Sequence, residues 1–172
     1  MTESVQTSDD LAPLRQKTIV LVGLMGVGKS SVGRRLATAL NLPFRDADNE
    51  VEAAAGRSIS EIFAELGEAA FRDGERRVIA RLLDEPPHVL ATGGGAFVNA
   101  ETRALINDKA LSVWLKADVE LLARRVSRKD TRPLLKGKDP VAVLTELARV
   151  RNPAYAEAQV HVQTGDTPHG VA

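Results

Sequence analysis

The residues "GLMGVGKSS", Gly23 to Ser31, satisfy the spacing G-x-x-x-x-G-K-[ST]. Glycines let backbone N–H groups turn inward around an anion, and a helix starting at the lysine adds its N-terminal dipole. Lys29 can reach the outer phosphates of a nucleoside triphosphate, and the Ser30 hydroxyl is a hard oxygen that suits Mg²⁺. The expected phosphate cradle runs through Gly26, Val27, Gly28, Lys29, Ser30 and Ser31. No Asn-Lys-x-Asp guanine-reading segment occurs, so ATP is the expected nucleotide.

Other residues could serve an acceptor. "RDADNE" carries Asp46 and Asp48, which alternation along a strand would place on one face. One of the two could hold a magnesium-bound water while the other orients and deprotonates a hydroxyl. "FRDGE" sets Arg72 and Glu75 three apart on one helix face. "TGGGAF" follows a strand with three consecutive glycines, Gly93, Gly94 and Gly95, which fits close approach of a ligand to backbone. "KDTRPLLKGKD" is basic, broken by proline and glycine, and suits a mobile lid better than any regular element. "RNPAY" places Arg151 and Tyr155 near a helix end, where the proline should limit continuation.

The elements that must position these groups alternate between short apolar runs and longer helical patterns. "TIVLVG" reads as a buried strand ending at glycine, and "KSSVGRRLATAL" as a helix with Val32, Leu36, Ala39 and Leu40 inward. "LPFRDAD" is a brief second strand. "SISEIFAELG" opens with a capping box, Ser58 to Glu61, and "EAAFRDGERRVIARLL" continues as helix despite Gly74. "HVLATGGG" is strand then loop, "NAETRALI" a short helix, "LSVWLKA" a strand, and "DVELLARRVS" a helix with an aspartate at its cap. "DPVAVLTELARVRNPAYAEA" begins with Asp139 at the cap and Pro140 at the first helical position, and "VHVQT" is the last strand. Strands separated by helices imply parallel βαβ units in a three-layer α/β sandwich, with ligands at the carboxyl ends of the strands.

Composition narrows the class. The chain has 172 residues, enough for one domain, and equal numbers of basic and acidic residues, 23 each, so any anion site must be local. Aromatics at 3% argue against stacking platforms for nucleic acid, and the absence of cysteine excludes thiolate metal sites and fits a reducing cytosol. No apolar run approaches the roughly 20 residues that span a bilayer. Residues 1–16 read as a polar, flexible lead without a signal-peptide pattern, and 17–172 as a single domain. The expectation is a soluble, cytoplasmic protein, monomeric because no coiled-coil pattern or large apolar stripe stands out. His88, His161 and His169 are not grouped as ligands, Trp114 reads as packing, Arg34 and Arg35 lie on a solvated helix face, and either Arg124 or Arg125 faces the nucleotide.

Taken in order, "GLMGVGKSS", "DAD", "FRDGE", "TGGG", "RPLL" and "RNPAY" resemble the shikimate kinases, over about Lys17 to Thr164. The resemblance implies a nucleoside-monophosphate-kinase-like fold, a P-loop α/β/α kinase with a five-stranded parallel sheet and a mobile lid at about 127–139. It implies transfer of the γ-phosphate of ATP to the 3-hydroxyl of shikimate, on the route to chorismate and aromatic amino acids, with Mg²⁺ as cofactor. It assigns Asp48 as base and hydroxyl contact, and Asp46, through water, with Ser30 as the Mg²⁺ site. Arg72 and Arg151 take the shikimate carboxylate, aided by the Gly93–Gly95 backbone, and Glu75 holds that site together. Arg132 closes over the phosphates, beside catalytic Lys29, and Arg125 packs on adenine. The family runs on past an adenine-contacting loop into a final helix; here it would begin near Pro168 or His169 and stop almost at once. The residues alone leave open another P-loop small-molecule kinase, acting on gluconate or a nucleoside monophosphate, and a non-catalytic ATP-binding module. Two carboxylate-binding arginines argue against a neutral acceptor, and the presence of Lys29, Asp48 and Arg132 argues against a relic.

Overall fold

A computed structural model describes residues 11–127 and 137–165. Five strands form one parallel sheet in the order β2-β3-β1-β4-β5: β1 Ile19–Val22, β2 Phe44–Asp46, β3 Val89–Ala91, β4 Leu111–Lys116 and β5 Val160–Gln163. The central strand β1 is buried at every residue, as a strand covered on both faces requires, and pairs Ile19 with Val89 on one side and Leu111 on the other. The helices are α1 Lys29–Leu40, α2 Ala47–Ala55, α3 Ile59–Leu66, α4 Glu68–Leu83, α5 Ala100–Lys109, α6 Val119–Ser127 and α7 Pro140–Tyr155. They cover the sheet as the expected three-layer α/β/α domain, and no described helix is long and apolar enough to cross a membrane.

Several elements differ from the sequence expectation. Asp46 ends β2 and caps α2, its Oδ1 accepting from the N–H groups of Asp48 at 3.0 Å and Asn49 at 3.3 Å. The chain therefore turns helical before Asp48, and Asp46 and Asp48 do not share a strand face. Helix α2 itself, "ADNEVEAAA", was not anticipated. Gly67, at φ 86°, separates α3 from α4, so "SISEIFAELG" and the Arg72 segment are two helices. In α1 the buried positions are Val32, Gly33, Ala37 and Leu40, while Ala39 faces outward.

Pro153 lies inside the last turn of α7, which runs on to Tyr155. It removes one i→i−4 hydrogen bond, to the Arg149 carbonyl, and the helix stops two residues later. Ser58 caps α3 by accepting from the Glu61 N–H at 3.1 Å, and the Asp139–Pro140 start forms as expected. Of the sixteen-residue lead, Ala12–Gln16 is a 3₁₀ turn, with Leu11 and Leu14 packed on the core. Residues 1–10 lie outside the described residues. So do 128–136, which take in Arg132 and most of the expected lid, and 166–172, which take in His169 and the expected final helix.

Candidate active site

The carboxyl ends of β1, β2 and β3 bring the three expected loops together. After β1 the phosphate loop turns through Gly26 and Gly28 at φ 83° and 100°, a region that side chains resist. α1 then starts at Lys29, so its first N–H groups face the cradle. The Lys29 ammonium folds back onto the carbonyls of Gly23 at 2.6 Å and Leu24 at 3.1 Å, holding the loop closed around the space for phosphate. Arg125, from α6, braces the loop from outside by donating to Gly26 O at 3.2 Å and Val27 O at 3.3 Å, and to Gly165 O at 2.7 Å. Arg34 instead lies over the Phe44 ring at 5.0 Å, and Arg35 is exposed.

Ser30 Oγ donates to Asp46 Oδ2 at 3.0 Å. With its proton spent on Asp46, the hydroxyl presents lone pairs outward, a donor set of hard oxygens that fits Mg²⁺. Among the described residues no cluster of three or more His, Asp or Glu could hold an ion alone. A metal here would need phosphate oxygens, the arrangement Mg²⁺ favours.

Asp48 projects toward the glycine loop after β3. A methyl group added at Gly93 would lie 2.9 Å from Asp48 Oδ1 and 3.4 Å from Glu75 Oε2, so both carboxylates converge on that backbone. Burial, then the neighbouring Asp46, pushes the Asp48 carboxyl above its ordinary value, against the pull of Lys29. Next along the loop, the Arg151 guanidinium occupies the space a side chain at Gly94 would take, with Nη1 at 2.7 Å, and the Arg72 guanidinium fills that beside Gly95. Two cationic forks thus lie over adjacent glycines, next to a carboxylate and one strand away from the phosphate loop.

Glu75 anchors this arrangement. It is 3% exposed, accepts from Arg72 Nη1 at 2.9 Å through Oε1, and its buried Oε2 has no hydrogen-bond partner. Burial raises its carboxyl, with Arg72 pulling the other way.

Two contributors were not among the expected site residues. Tyr155, fully buried, donates its hydroxyl to the Gly94 carbonyl and so fixes the glycine loop. Burial pushes that hydroxyl up to about 12, so it remains a donor. Thr92 Oγ1 donates to Leu21 O at 2.8 Å, tying the start of the loop to β1. A signal for Tyr155 existed: it is the chain's one tyrosine, a helical turn after Arg151. The two described histidines, His88 and His161, take no part. His88 is buried with Nδ1 2.9 Å from Pro86 O, and His161 lies edge-on to Trp114 at 5.1 Å.

Comparison with known proteins bears on what this cleft serves. A family model for shikimate kinase matches residues 25–171. A shikimate kinase of Caulobacter vibrioides is 90% identical over 165 residues, covering 96% of this chain and 82% of its own length. One from Bradyrhizobium diazoefficiens is 57% identical over 162 residues, 94% of this chain and 78% of that one. Among solved structures, shikimate kinase from Acinetobacter baumannii in complex with shikimate superposes with a TM-score of 0.85 at 37% identity, covering 94% and 90% of the two chains.

Proposed function

This chain belongs to the shikimate kinase family, and we propose that its cleft transfers the γ-phosphoryl group of ATP to the 3-hydroxyl of shikimate. The observation that carries this reading is the pair of guanidinium forks, Arg72 and Arg151, over Gly95 and Gly94 beside Asp48. Shikimate is a small carboxylate bearing several hydroxyls. Planar forks bind its carboxylate bidentately, and an acid holds and deprotonates a hydroxyl. A neutral acceptor would not need both forks, and a non-catalytic module would not need Asp48 in place.

With the carboxylate on Arg72 and Arg151, and loop N–H groups of Gly93–Gly95 nearby, the ring is laid across Asp48. The hydroxyl oxygen forms a bond to the γ-phosphorus as its proton passes to the Asp48 carboxylate. The bond from the γ-phosphorus to the bridging oxygen breaks, and ADP leaves. The environment that raises Asp48 makes it the better proton acceptor near neutral pH. Lys29 and the backbone from Gly26 to Ser31 hold the phosphates, and Arg125 flanks the nucleotide from α6. Ser30 would hold Mg²⁺ directly and Asp46 through water; when bound, the ion neutralises charge developing across the β- and γ-phosphates. Arg132 is assigned to the phosphates on lid closure, which would exclude water. A cytoplasmic monomer completes the reading.

The test is ³¹P NMR of the protein with Mg²⁺-ATP, with and without shikimate, and with gluconate and AMP as control acceptors. A phosphomonoester signal that needs shikimate and appears together with ADP is expected. Product from a control acceptor alone would leave the phosphate loop and overturn the acceptor site.

A further inference from the structure

A second cavity, of about 220 Å³, lies behind the phosphate loop between the ends of β4 and β5, the start of α6 and the middle of α7. Its apolar wall includes Leu24, Trp114, Leu122 and Ala148, and its polar groups include Lys116, Asp118 and Asn152. None of Lys29, Asp48, Arg72 or Arg151 lines it. The volume far exceeds the roughly 10–15 Å³ that one water needs but is below the roughly 300 Å³ at which drug-sized pockets begin. That size fits a fragment-sized ligand and not a nucleotide.

Charge selects the ligand. Lys116 and Asp118 sit two residues apart where the chain leaves β4, and neither forms an ion pair with a described residue. The Lys116 ammonium instead rests over the Trp114 ring at 4.5 Å. A lone anion drawn to Lys116 would be opposed by Asp118, and a lone cation would meet the reverse. A ligand carrying both charges satisfies both groups. We propose that this cavity binds a small zwitterion with an apolar body, an α-amino acid of about leucine's size: carboxylate to Lys116, ammonium to Asp118, side chain against Trp114 and Leu122.

The cavity also touches supports of both substrate positions. The Trp114 ring packs on Tyr155 at 5.7 Å, whose hydroxyl holds the Gly94 carbonyl, and the Leu24 carbonyl accepts from Lys29 at 3.1 Å. An occupant would therefore adjoin the acceptor loop and the phosphate loop without entering either. The inference does not depend on which acceptor the active site takes.

Trp114 is the chain's one tryptophan, so its fluorescence reports the cavity directly. L-Leucine is titrated into the full chain with saturating shikimate and ADP present. A saturable change with Kd of about 1 mM or tighter is expected. Lys116→Met and Ala148→Leu, the first removing the cation and the second filling the space, should each weaken binding at least about tenfold while shikimate turnover is retained. The single-charge analogues 4-methylpentanoate and isopentylamine, and glycine, which lacks the apolar body, should weaken as much. The proposal falls if leucine gives no saturable change with saturating shikimate and ADP present, or if a single-charge analogue binds as well as leucine. Should one variant misfold, the other and the analogue series decide.

Discussion

Arg72 has two duties that a double substitution separates. It is the hydrogen-bond partner of the buried Glu75 carboxylate, at 2.9 Å, and its guanidinium lies beside Gly95, where the proposed function has it take the acceptor's carboxylate. Arg72→Ala removes both. The Glu75 side chain, 3% exposed, then keeps a buried charge whose Oε2 already lacks a partner. Breaking a fully buried pair costs about 3–5 kcal/mol, but Arg72 is 28% exposed, so about 2 kcal/mol is the reasonable figure here. For a domain of this size that lowers Tm by about 4–8 °C. Loss of a charge-assisted contact to a carboxylate should raise the shikimate KM by about 30- to 1000-fold, equivalent to roughly 2–4 kcal/mol, and leave the ATP KM within a few-fold.

Adding Glu75→Gln should restore most of the lost Tm, because no buried charge remains, yet none of the shikimate affinity. Differential scanning fluorimetry and a coupled ADP assay on the wild type, both single variants and the double variant complete the cycle. Recovery of shikimate affinity in the double variant would show that Arg72 acts only by holding Glu75. An unchanged Tm in Arg72→Ala would refute the buried-charge reasoning.

Asp48→Asn keeps the shape but not the proposed base: turnover should fall by at least about 10²-fold while nucleotide binding by calorimetry stays near wild type, and turnover within a few-fold of wild type would remove Asp48 as base. Tyr155→Phe leaves the ring on Trp114 but takes the donor from Gly94 O, so Tm should drop by about 2–4 °C, as for a loss of about 1 kcal/mol, and the shikimate KM should rise more than the ATP KM. Glu75 has a folded value above its ordinary 4.5, so its contribution to stability is full below 4.5 and is lost as pH rises through the folded value. Denaturant titrations of the free protein should therefore show Glu75→Gln gaining on wild type as pH rises from about 4.5 toward neutrality; a difference constant with pH would contradict the buried, raised carboxyl.

Local chemistry was legible where it is written in consecutive residues. The phosphate loop, the Ser58 cap and the Asp139–Pro140 helix start each depend on neighbours within one turn, and each forms as read. Asp46 was misread because the same residue type ends a strand and caps a helix. Only its hydrogen bonds to Asp48 and Asn49 reveal which role it takes. The break at Gly67 is not legible in the sequence because an apolar helical pattern runs on both sides of it. The order β2-β3-β1-β4-β5 could not be read from spacing, since the strands are all short and nothing in their residues says which neighbour each would pair with. The candidate acceptor site rests on that order, which brings Asp48, in the first turn of α2 after β2, beside the glycine loop after β3.

The placement of β1 at the centre of the sheet has a consequence for how the enzyme is made. β1 is synthesised well before its partners, which begin at Val89 and Leu111. Until most of the chain has been synthesised, "IVLV" is a fully apolar segment with both hydrogen-bonding edges open, and such non-local pairing is slow to form. A nascent chain halted before β4 would carry the phosphate-binding sequence without the sheet that shapes it. Nucleotide should thus protect the finished protein from proteolysis and give no protection to ribosome-bound intermediates, leaving those intermediates to depend on chaperones while they wait for their second partner strand.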